Sequence, residues 1–222
     1  MVIFLADLQN SYYRYIRNSV PIGMGYVAAY LESIFGSNIE VHQFRKFEDL
    51  HNALATQVPD VVAFGSYSWN TELTRHTAAY LKQRFPDIVI AVGGPDVAPV
   101  PFMATKLLKA VPQFDFVFPN EGEAPMRELL EAIFTGRSLD ELRQCGVKGC
   151  LSLDDQGSLT GTIIDRYEGD IEDIPSPYLS GLMDQFLANS DYLPIIQTAR
   201  GCPYRCTFCV SGKDTWSKVK KF

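Results

Sequence analysis

Residues 60–95 read DVVAFGSYSWNTELTRHTAAYLKQRFPDIVIAVGGP, and this stretch decides the fold class. Residues 61–66 form a continuous apolar run with β-branched members and no alternation. A strand of that kind is buried on both faces, as in a parallel sheet covered by helices on each side. Residues 71–85 carry a helical pattern that stops at Pro86, where the ring and missing N–H forbid continuation. Residues 88–92 repeat the strand pattern and run into Gly93-Gly94-Pro95, a turn. Strand, helix and strand in one short stretch make a parallel crossover unit.

Working outward, the same theme repeats. Strands are expected at 2–6, 39–43 and 114–118. Helices are expected at 24–35 (with Pro21 and Gly23 at its start), 47–58 (stopped by Pro59), 102–111 and 123–134. Five strands alternating with five helices predict an α/β fold with a doubly wound parallel sheet. Right-handed crossovers leave few topologies, and the flavodoxin-like order 2-1-3-4-5 is the expectation. Ligands of such sheets bind beyond the carboxyl ends of the strands, near the switch point. That points to the loops 7–21, 67–71 and 93–101.

After Gly136 the pattern changes. Residues 147–153 and 159–164 flank Asp154-Asp155-Gln156-Gly157 and predict a hairpin. Residues 168–177 read as an acidic, proline-bearing linker, 178–189 as a short helix and 193–198 as a buried strand. The expected division is a first domain at 1–136, a linker with a hairpin at 137–192, and the start of a further domain at 193–222.

The chain has 222 residues, of which 46% are apolar and 21% charged, with a net charge of −6. That composition can support a packed core and argues against disorder. The acidic balance argues against a nucleic-acid platform, and the closing Lys218, Lys220 and Lys221 read as solvated. No apolar run approaches the ~18 residues of a membrane span. The opening MVIFLADLQN has no basic leader, so no signal peptide and a cytoplasmic location are expected.

The five cysteines are Cys145, Cys150, Cys202, Cys206 and Cys209. Three of them share one short loop with the spacing C-x3-C-x2-C, a poor disulfide framework and a good metal-binding one. Soft thiolates suit an iron–sulfur cage. Three local ligands for a four-iron cluster leave one iron open to substrate. A zinc site is the alternative, but a closed zinc site needs a fourth ligand. Only the distant Cys145 and Cys150, or histidines of the first domain, could supply it. Cys145 and Cys150 read as ordinary buried or half-buried thiols. His51 and His76 read as solvated helix residues.

Cys202-x3-Cys206-x-Phe208-Cys209 resembles the radical S-adenosylmethionine signature, with Phe208 as the aromatic before the last cysteine. Residues 195–201 resemble the first barrel strand and loop of that superfamily. The resemblance implies a [4Fe–4S] cluster on Cys202, Cys206 and Cys209. It further implies S-adenosylmethionine at the open iron and cleavage to a 5′-deoxyadenosyl radical.

The whole chain is similar to the cobalamin-binding branch of that superfamily. The matching pieces are Pro21-Ile-Gly-Met-Gly-Tyr26, Asp60-Val-Val-Ala-Phe-Gly-Ser66, Val92-Gly-Gly-Pro95, Asp115-Phe-Val-Phe-Pro-Asn-Glu-Gly-Glu123 and Ile174-Pro-Ser-Pro-Tyr-Leu179. The resemblance implies cobalamin contacts from Asn10, Ser11, Ser66, Tyr67, Ser68, Trp69, Thr71, Gly93, Gly94, Pro95, Glu121 and Gly122. Glycines permit close backbone approach, hydroxyls can bond a buried tail or amide arms, and Tyr67 and Trp69 could pack on the corrin edge. Alternatively, Gly93-Gly94 could be a plain turn, the aromatics a cap on the sheet, and Glu121 and Glu123 a complement to a helix dipole.

Asp49-Leu-His51 looks like the start of the D-x-H-x-x-G motif that supplies a lower cobalt ligand. It lies in a helix rather than after the first strand, and Leu54 takes the glycine position. Loop 7–21 has no histidine, so a cobalamin without a lower histidine ligand is expected.

The resemblance implies methyl transfer to an unactivated centre of a small-molecule or peptide substrate, with an electron donor such as flavodoxin or ferredoxin. A barrel needs ~200 residues, so the chain holds only the beginning of one. Two other readings stay open: a cobalamin- or small-molecule-binding module without catalysis, and a radical enzyme whose first domain binds no cobalamin. No catalytic residue is assigned.

Overall fold

A computed structural model describes residues 1–9, 18–204, 206–209 and 219–221. In chain order the elements begin with β1 (Val2–Ala6), β2 (Asn18–Ser19), α1 (Ile22–Phe35), β3 (Glu40–Phe44), α2 (Phe47–Leu54) and β4 (Val61–Gly65). Next come α3 (Thr71–Arg84), β5 (Val89–Gly93), α4 (Pro101–Ala110), β6 (Phe116–Val117), α5 (Glu123–Phe134) and α6 (Leu139–Cys145). The chain continues through β7 (Leu151–Leu153), β8 (Leu159–Gly161), α7 (Asp184–Leu187), β9 (Tyr192–Leu193), β10 (Ala199–Arg200) and β11 (Lys220–Lys221).

The main sheet has the order β3-β1-β4-β5-β6-β7-β8. Its first five members are parallel and reproduce the expected 2-1-3-4-5 arrangement. Alternate residues of each strand feed two cores, as the period of two requires. Phe4, Val62 and Ile90 join Leu50, Leu81 and Leu108 on the α2–α4 face. Ile3, Leu5 and Ala91 join Leu31, Leu129 and Leu130 on the α1/α5 face.

Two departures from the sequence reading have clear causes. The hairpin expected after Gly136 forms, but it does not stand apart from the sheet. β7 pairs antiparallel with β6 through Val117 and Leu151, so the hairpin becomes the sheet's edge. Leu151 is buried there, and the Ser152 hydroxyl donates to the Asp115 carbonyl at 2.7 Å.

The strand expected at 193–198 forms only at its first residue, within β9, which pairs in parallel with β2. Ile195 and Ile196 are 41% and 79% exposed rather than buried. A strand needs a neighbour for its backbone groups, and among the described residues β9's neighbour is only the two-residue β2. The expected helix at 178–189 is shorter, spanning Asp184–Leu187. Among the described residues no helix is long and apolar enough to cross a membrane.

The segment before α7 is docked on the sheet's helices. Met183 is fully buried with Val20 and Phe186, and Ile174 packs on Tyr26 and Tyr30. Gly25 makes that possible, because a Cβ there would lie 2.7 Å from the Met183 methyl and 3.0 Å from Pro177.

Asp115 ties the opposite end of the sheet. Its carboxylate accepts from the Ile90 N–H at 2.7 Å and pairs with Lys82 at 2.8 Å and Arg143 at 3.6 Å. Burial raises its pKa, and Lys82 acts against that rise. Asp115→Ala leaves the Ile90 N–H without its partner, while both cations can still reach water. The expected cost is about 2–3 kcal/mol, read as a lower urea midpoint with an unchanged denaturant slope.

Candidate functional site

The carboxyl ends of β1, β4, β5 and β6 open into a cavity of about 430 Å³ on the α1/α5 face. Its walls are Leu5, Ala63 and Gly93 from the strands, Phe118 just after β6, and Tyr26 and Met126 from the helices. Gln197, Ala199, Arg200 and Gly201 close it from the segment that leads into the cysteines. This is the switch-point location expected for a ligand of such a sheet.

Gly94 shapes one wall. Its φ is +101°, a region costly for residues with a Cβ. A Cβ there would lie 2.6 Å from the Ser66 carbonyl oxygen and 2.9 Å from the Ser66 nitrogen. Ser66 N–H donates to Gly93 O at 2.7 Å, so the turn after β5 is clamped against the end of β4.

Asn70 organises the neighbouring loops from a buried position. Its amide donates to Leu8 O at 2.9 Å and Gly65 O at 3.0 Å, and its oxygen accepts from Tyr67 N–H at 2.7 Å. Asp7, at the end of β1, reaches the cavity and pairs with Arg45 at 2.5 Å. Arg45 also donates to the Asp7 carbonyl at 2.9 Å. Burial lifts the Asp7 carboxyl to about 6, with Arg45 opposing the rise. The Tyr67 phenol is raised as well, by burial first and by the Asp7 charge second.

Arg200 meets the opposite wall. Its guanidinium pairs with Glu123 at 2.6 Å and Glu121 at 3.6 Å and lies 5.2 Å from the Tyr26 ring centre. Its Nε donates to Gln197 Oε1 at 3.0 Å. Burial works against the Arg200 charge, and the two carboxylates more than offset it. Glu121 also accepts the Tyr167 N–H.

The sequence-predicted residues divide into groups. Tyr67, Gly93, Gly94, Glu121 and Gly122 line the cavity. Ser66 and Thr71 face elsewhere and donate to Asp96 at 3.3 and 2.6 Å. Trp69 is 68% exposed and stacks on Tyr67 at 4.6 Å, while Ser68 and Pro95 are exposed. Asn10 and Ser11 lie outside the described residues.

Cys202 is half-buried, Cys206 and Cys209 are exposed, and all three are free thiols. Cys209 N–H donates to Cys206 O at 3.1 Å, which turns the loop. Among the described residues no group of three possible ligands is gathered ready to hold a metal ion. Phe208 is 91% exposed. Cys150 is buried with its thiol pushed up by burial, whereas Cys145 is exposed. His51 lies in α2 with Nδ1 2.9 Å from the Tyr80 hydroxyl and is not among the residues lining the cavity.

Sequence reasoning singled out neither Asp7, Tyr26 and Asn120 nor Arg200 as site residues, and it read Glu123 only as a helix-end carboxylate. A carboxylate closing a central strand was a usable signal for Asp7. Arg200 and Glu123 meet across 77 positions, and nothing local announces that contact.

The chain is 33% identical over 169 residues to the "Cobalamin-dependent radical SAM methyltransferase TokK" of Streptomyces tokunonensis, covering 74% of this chain and 24% of that protein. It is 33% identical over 171 residues to the "2-(S-pantetheinyl)-carbapenam-3-carboxylate methyltransferase" of Streptantibioticus cattleyicolor, with 74% and 24% covered. This chain thus spans about a quarter of the length of these relatives. The fold matches the cobalamin-dependent S-adenosylmethionine radical enzyme OxsB, solved with aqua-cobalamin and S-adenosylmethionine bound. The TM-score is 0.72 at 19% identity, covering 99% of this chain and 29% of that one. Residues 18–130, which carry α1 through most of α5 and the cavity residues Tyr26, Ala63, Gly93, Phe118 and Met126, match the model of the B12 binding domain, and the chain belongs to that family.

Proposed function

We propose that this chain is the N-terminal part of a cobalamin-dependent radical S-adenosylmethionine enzyme, a methyltransferase acting on an unactivated centre of a small-molecule substrate. On this reading residues 1–136 are the cobalamin-binding domain, 137–192 the linker, and 193–222 the start of the radical domain. The carrying observation is one of place. The cavity of the B12-binding fold is walled by Ala199, Arg200 and Gly201, and Cys202 follows at once. The name of the Streptomyces tokunonensis relative supports the same pairing of cofactors, and the Streptantibioticus cattleyicolor name supports methyl transfer.

The residues fit a corrinoid. The Gly93-Gly94 turn leaves backbone where a side chain would intrude, and the cavity's volume of about 430 Å³ lies within the usual range of ligand pockets. Tyr67, Gly93, Gly94 and Asn120 would hold it, with no histidine among the cavity residues to serve as a lower ligand. The donor set of Cys202, Cys206 and Cys209 fits an iron–sulfur cluster with one open iron: three free thiols close together in sequence. Together such cofactors supply a methyl group and a hydrogen-abstracting radical.

The chain's own residues then do three things. Asn70 and Gly94 fix the two loops that border the cavity. Asp7 and Tyr67 present titratable groups there. Arg200 holds the root of the cysteine loop against the B12-binding domain. An external one-electron donor of the flavodoxin or ferredoxin kind, and a cytoplasmic location, belong to this proposal.

Anaerobic reconstitution with iron, sulfide and hydroxocobalamin tests it. After desalting, about four irons and about one cobalt per chain are expected. Cobalt without iron would reduce the chain to a binding module. Iron without cobalt would keep the radical chemistry and remove the corrinoid. Zinc retained in place of iron would sink the cluster assignment.

A further inference from the structure

We infer that Arg200 is a positioning residue that sets the cysteine loop at a fixed place relative to the corrinoid cavity. The inference rests on the cofactor reading above and goes beyond it. Three observations carry it: a buried arginine clasped by two carboxylates, its place two residues before the first cysteine, and a second anchor at the far end of the same loop.

Arg200 is 9% exposed and bridges Glu121 and Glu123, which belong to the turn after β6 and the first residue of α5. Both carboxylates also line the cavity. The guanidinium fork engages two partners at once, which fixes orientation as well as distance. Arg166 donates to the Arg200 carbonyl at 3.2 Å, so the backbone is held along with the side chain.

The far end of the loop returns to the same spot. Lys220 pairs with Arg200 in the antiparallel β10–β11 ladder. Its ammonium donates to Tyr167 O at 2.6 Å and Gly169 O at 3.0 Å. Tyr167 N–H in turn donates to Glu121. Glu121 is therefore shared by both anchors, and Arg200 and Lys220, on either side of the cysteines in sequence, meet at one small polar patch. Gly201, with φ +102°, turns the chain immediately after the clasp.

A purely structural ion pair would stabilise the fold without caring what the loop carries. A positioning residue must change the relation between the two cofactors while leaving each bound. Arg200→Gln removes the charge and keeps much of the side chain. Arg200→Lys keeps the charge and loses the fork. The measurement is electron paramagnetic resonance of the reconstituted chain, with cobalt as cob(II)alamin and the cluster reduced. Magnetic coupling between the two centres falls with the inverse cube of their separation, so it reports their placement directly.

In the parent chain a resolved, reproducible coupling is expected. In Arg200→Gln, measured on the protein fraction that holds both cofactors, the coupling is expected to be lost or spread over many distances. Arg200→Lys should restore a broadened version of the parent coupling. Glu123→Gln should copy the Arg200→Gln spectrum, because it breaks the shorter half of the same clasp. A parent-like coupling in both Arg200→Gln and Glu123→Gln, with both cofactors bound, overturns the inference and leaves the cofactor reading standing. A parent chain that takes up neither cofactor overturns the cofactor reading itself, and the inference with it.

Discussion

Gly94→Val is expected to abolish corrinoid uptake and to lower stability by about 3 kcal/mol. Two independent costs combine at this position. The first is backbone strain: φ of +101° is open to glycine and strongly disfavoured for a β-branched residue. The second is collision. A Cβ would stand 2.6 Å from the Ser66 carbonyl oxygen and 2.9 Å from its nitrogen, and these are backbone atoms rather than the yielding end of a side chain. Ser66 cannot retreat cheaply. Its N–H is bonded to Gly93 O at 2.7 Å, and its carbonyl accepts from Asp96 N–H at 3.2 Å. The turn must therefore move as a unit, and it is the wall of the cavity that moves.

Gly23→Ala supplies the control. Gly23 also lines the cavity, yet a Cβ there meets nothing within 4 Å, and it sits in the first turn of α1. It should keep the parent's stability to within about 0.5 kcal/mol and retain corrinoid binding. Visible absorbance of bound hydroxocobalamin after desalting, beside a urea titration of each variant, separates the two outcomes. Parent-like uptake by a folded Gly94→Val protein would sink the assignment of this turn to the corrinoid.

What the sequence could disclose follows from how far apart the interacting residues lie. The strands of residues 61–65 and 89–93 were legible because an unbroken apolar run has one stable home, the middle of a covered parallel sheet. Short crossovers then left little freedom in strand order. Gly93-Gly94 was legible as well, since paired glycines after a buried strand mark close backbone approach. Ser66 and Thr71 were not. A hydroxyl beyond a strand end can turn to either side, and these two turn to Asp96, a partner whose direction no pattern encodes. Residues 193–198 misled for the opposite reason. Their apolar character fits a strand, but a strand is a relation between segments, and the described chain offers only β2 beside them. Arg200 carried no reading of its own in the sequence. Its role emerges only when folding brings Glu121, Glu123 and Tyr26 around it.

Removing Arg45 is expected to destabilise the protein by about 3–5 kcal/mol at neutral pH, because it strands a buried carboxylate. The side chains of Arg45 and Asp7 are 6% and 10% exposed and lie 2.5 Å apart. Water cannot replace the lost partner. Arg45→Met should therefore cost far more than Asp7→Asn/Arg45→Met, in which no charge is left unpaired.

The pH dependence has a definite sign. The Asp7 carboxyl is raised from 3.8 to about 6 in the folded protein, by burial first and against the pull of Arg45. A folded state that holds the proton more tightly than the unfolded chain loses stability as the proton leaves. Between about pH 4 and pH 6 the Asp7 contribution therefore falls with rising pH, by up to about 3 kcal/mol, and is flat on either side. Arg45→Met removes the lowering influence, so the decline extends to higher pH and the variant recovers most of its deficit in acid. Asp7→Asn removes the decline altogether.

Urea midpoints of the parent and the three variants across that range test the argument, since every other titrating group is common to all four. Parallel profiles for parent and Asp7→Asn would show that Asp7 titrates normally. The consequence reaches the cavity, which Asp7 lines. Near pH 6 its carboxyl carries a proton about half the time. A ligand group that accepts from it is then held more weakly as pH rises to 8, and Asp7→Asn, which keeps a donor at every pH, should flatten corrinoid affinity across the same interval.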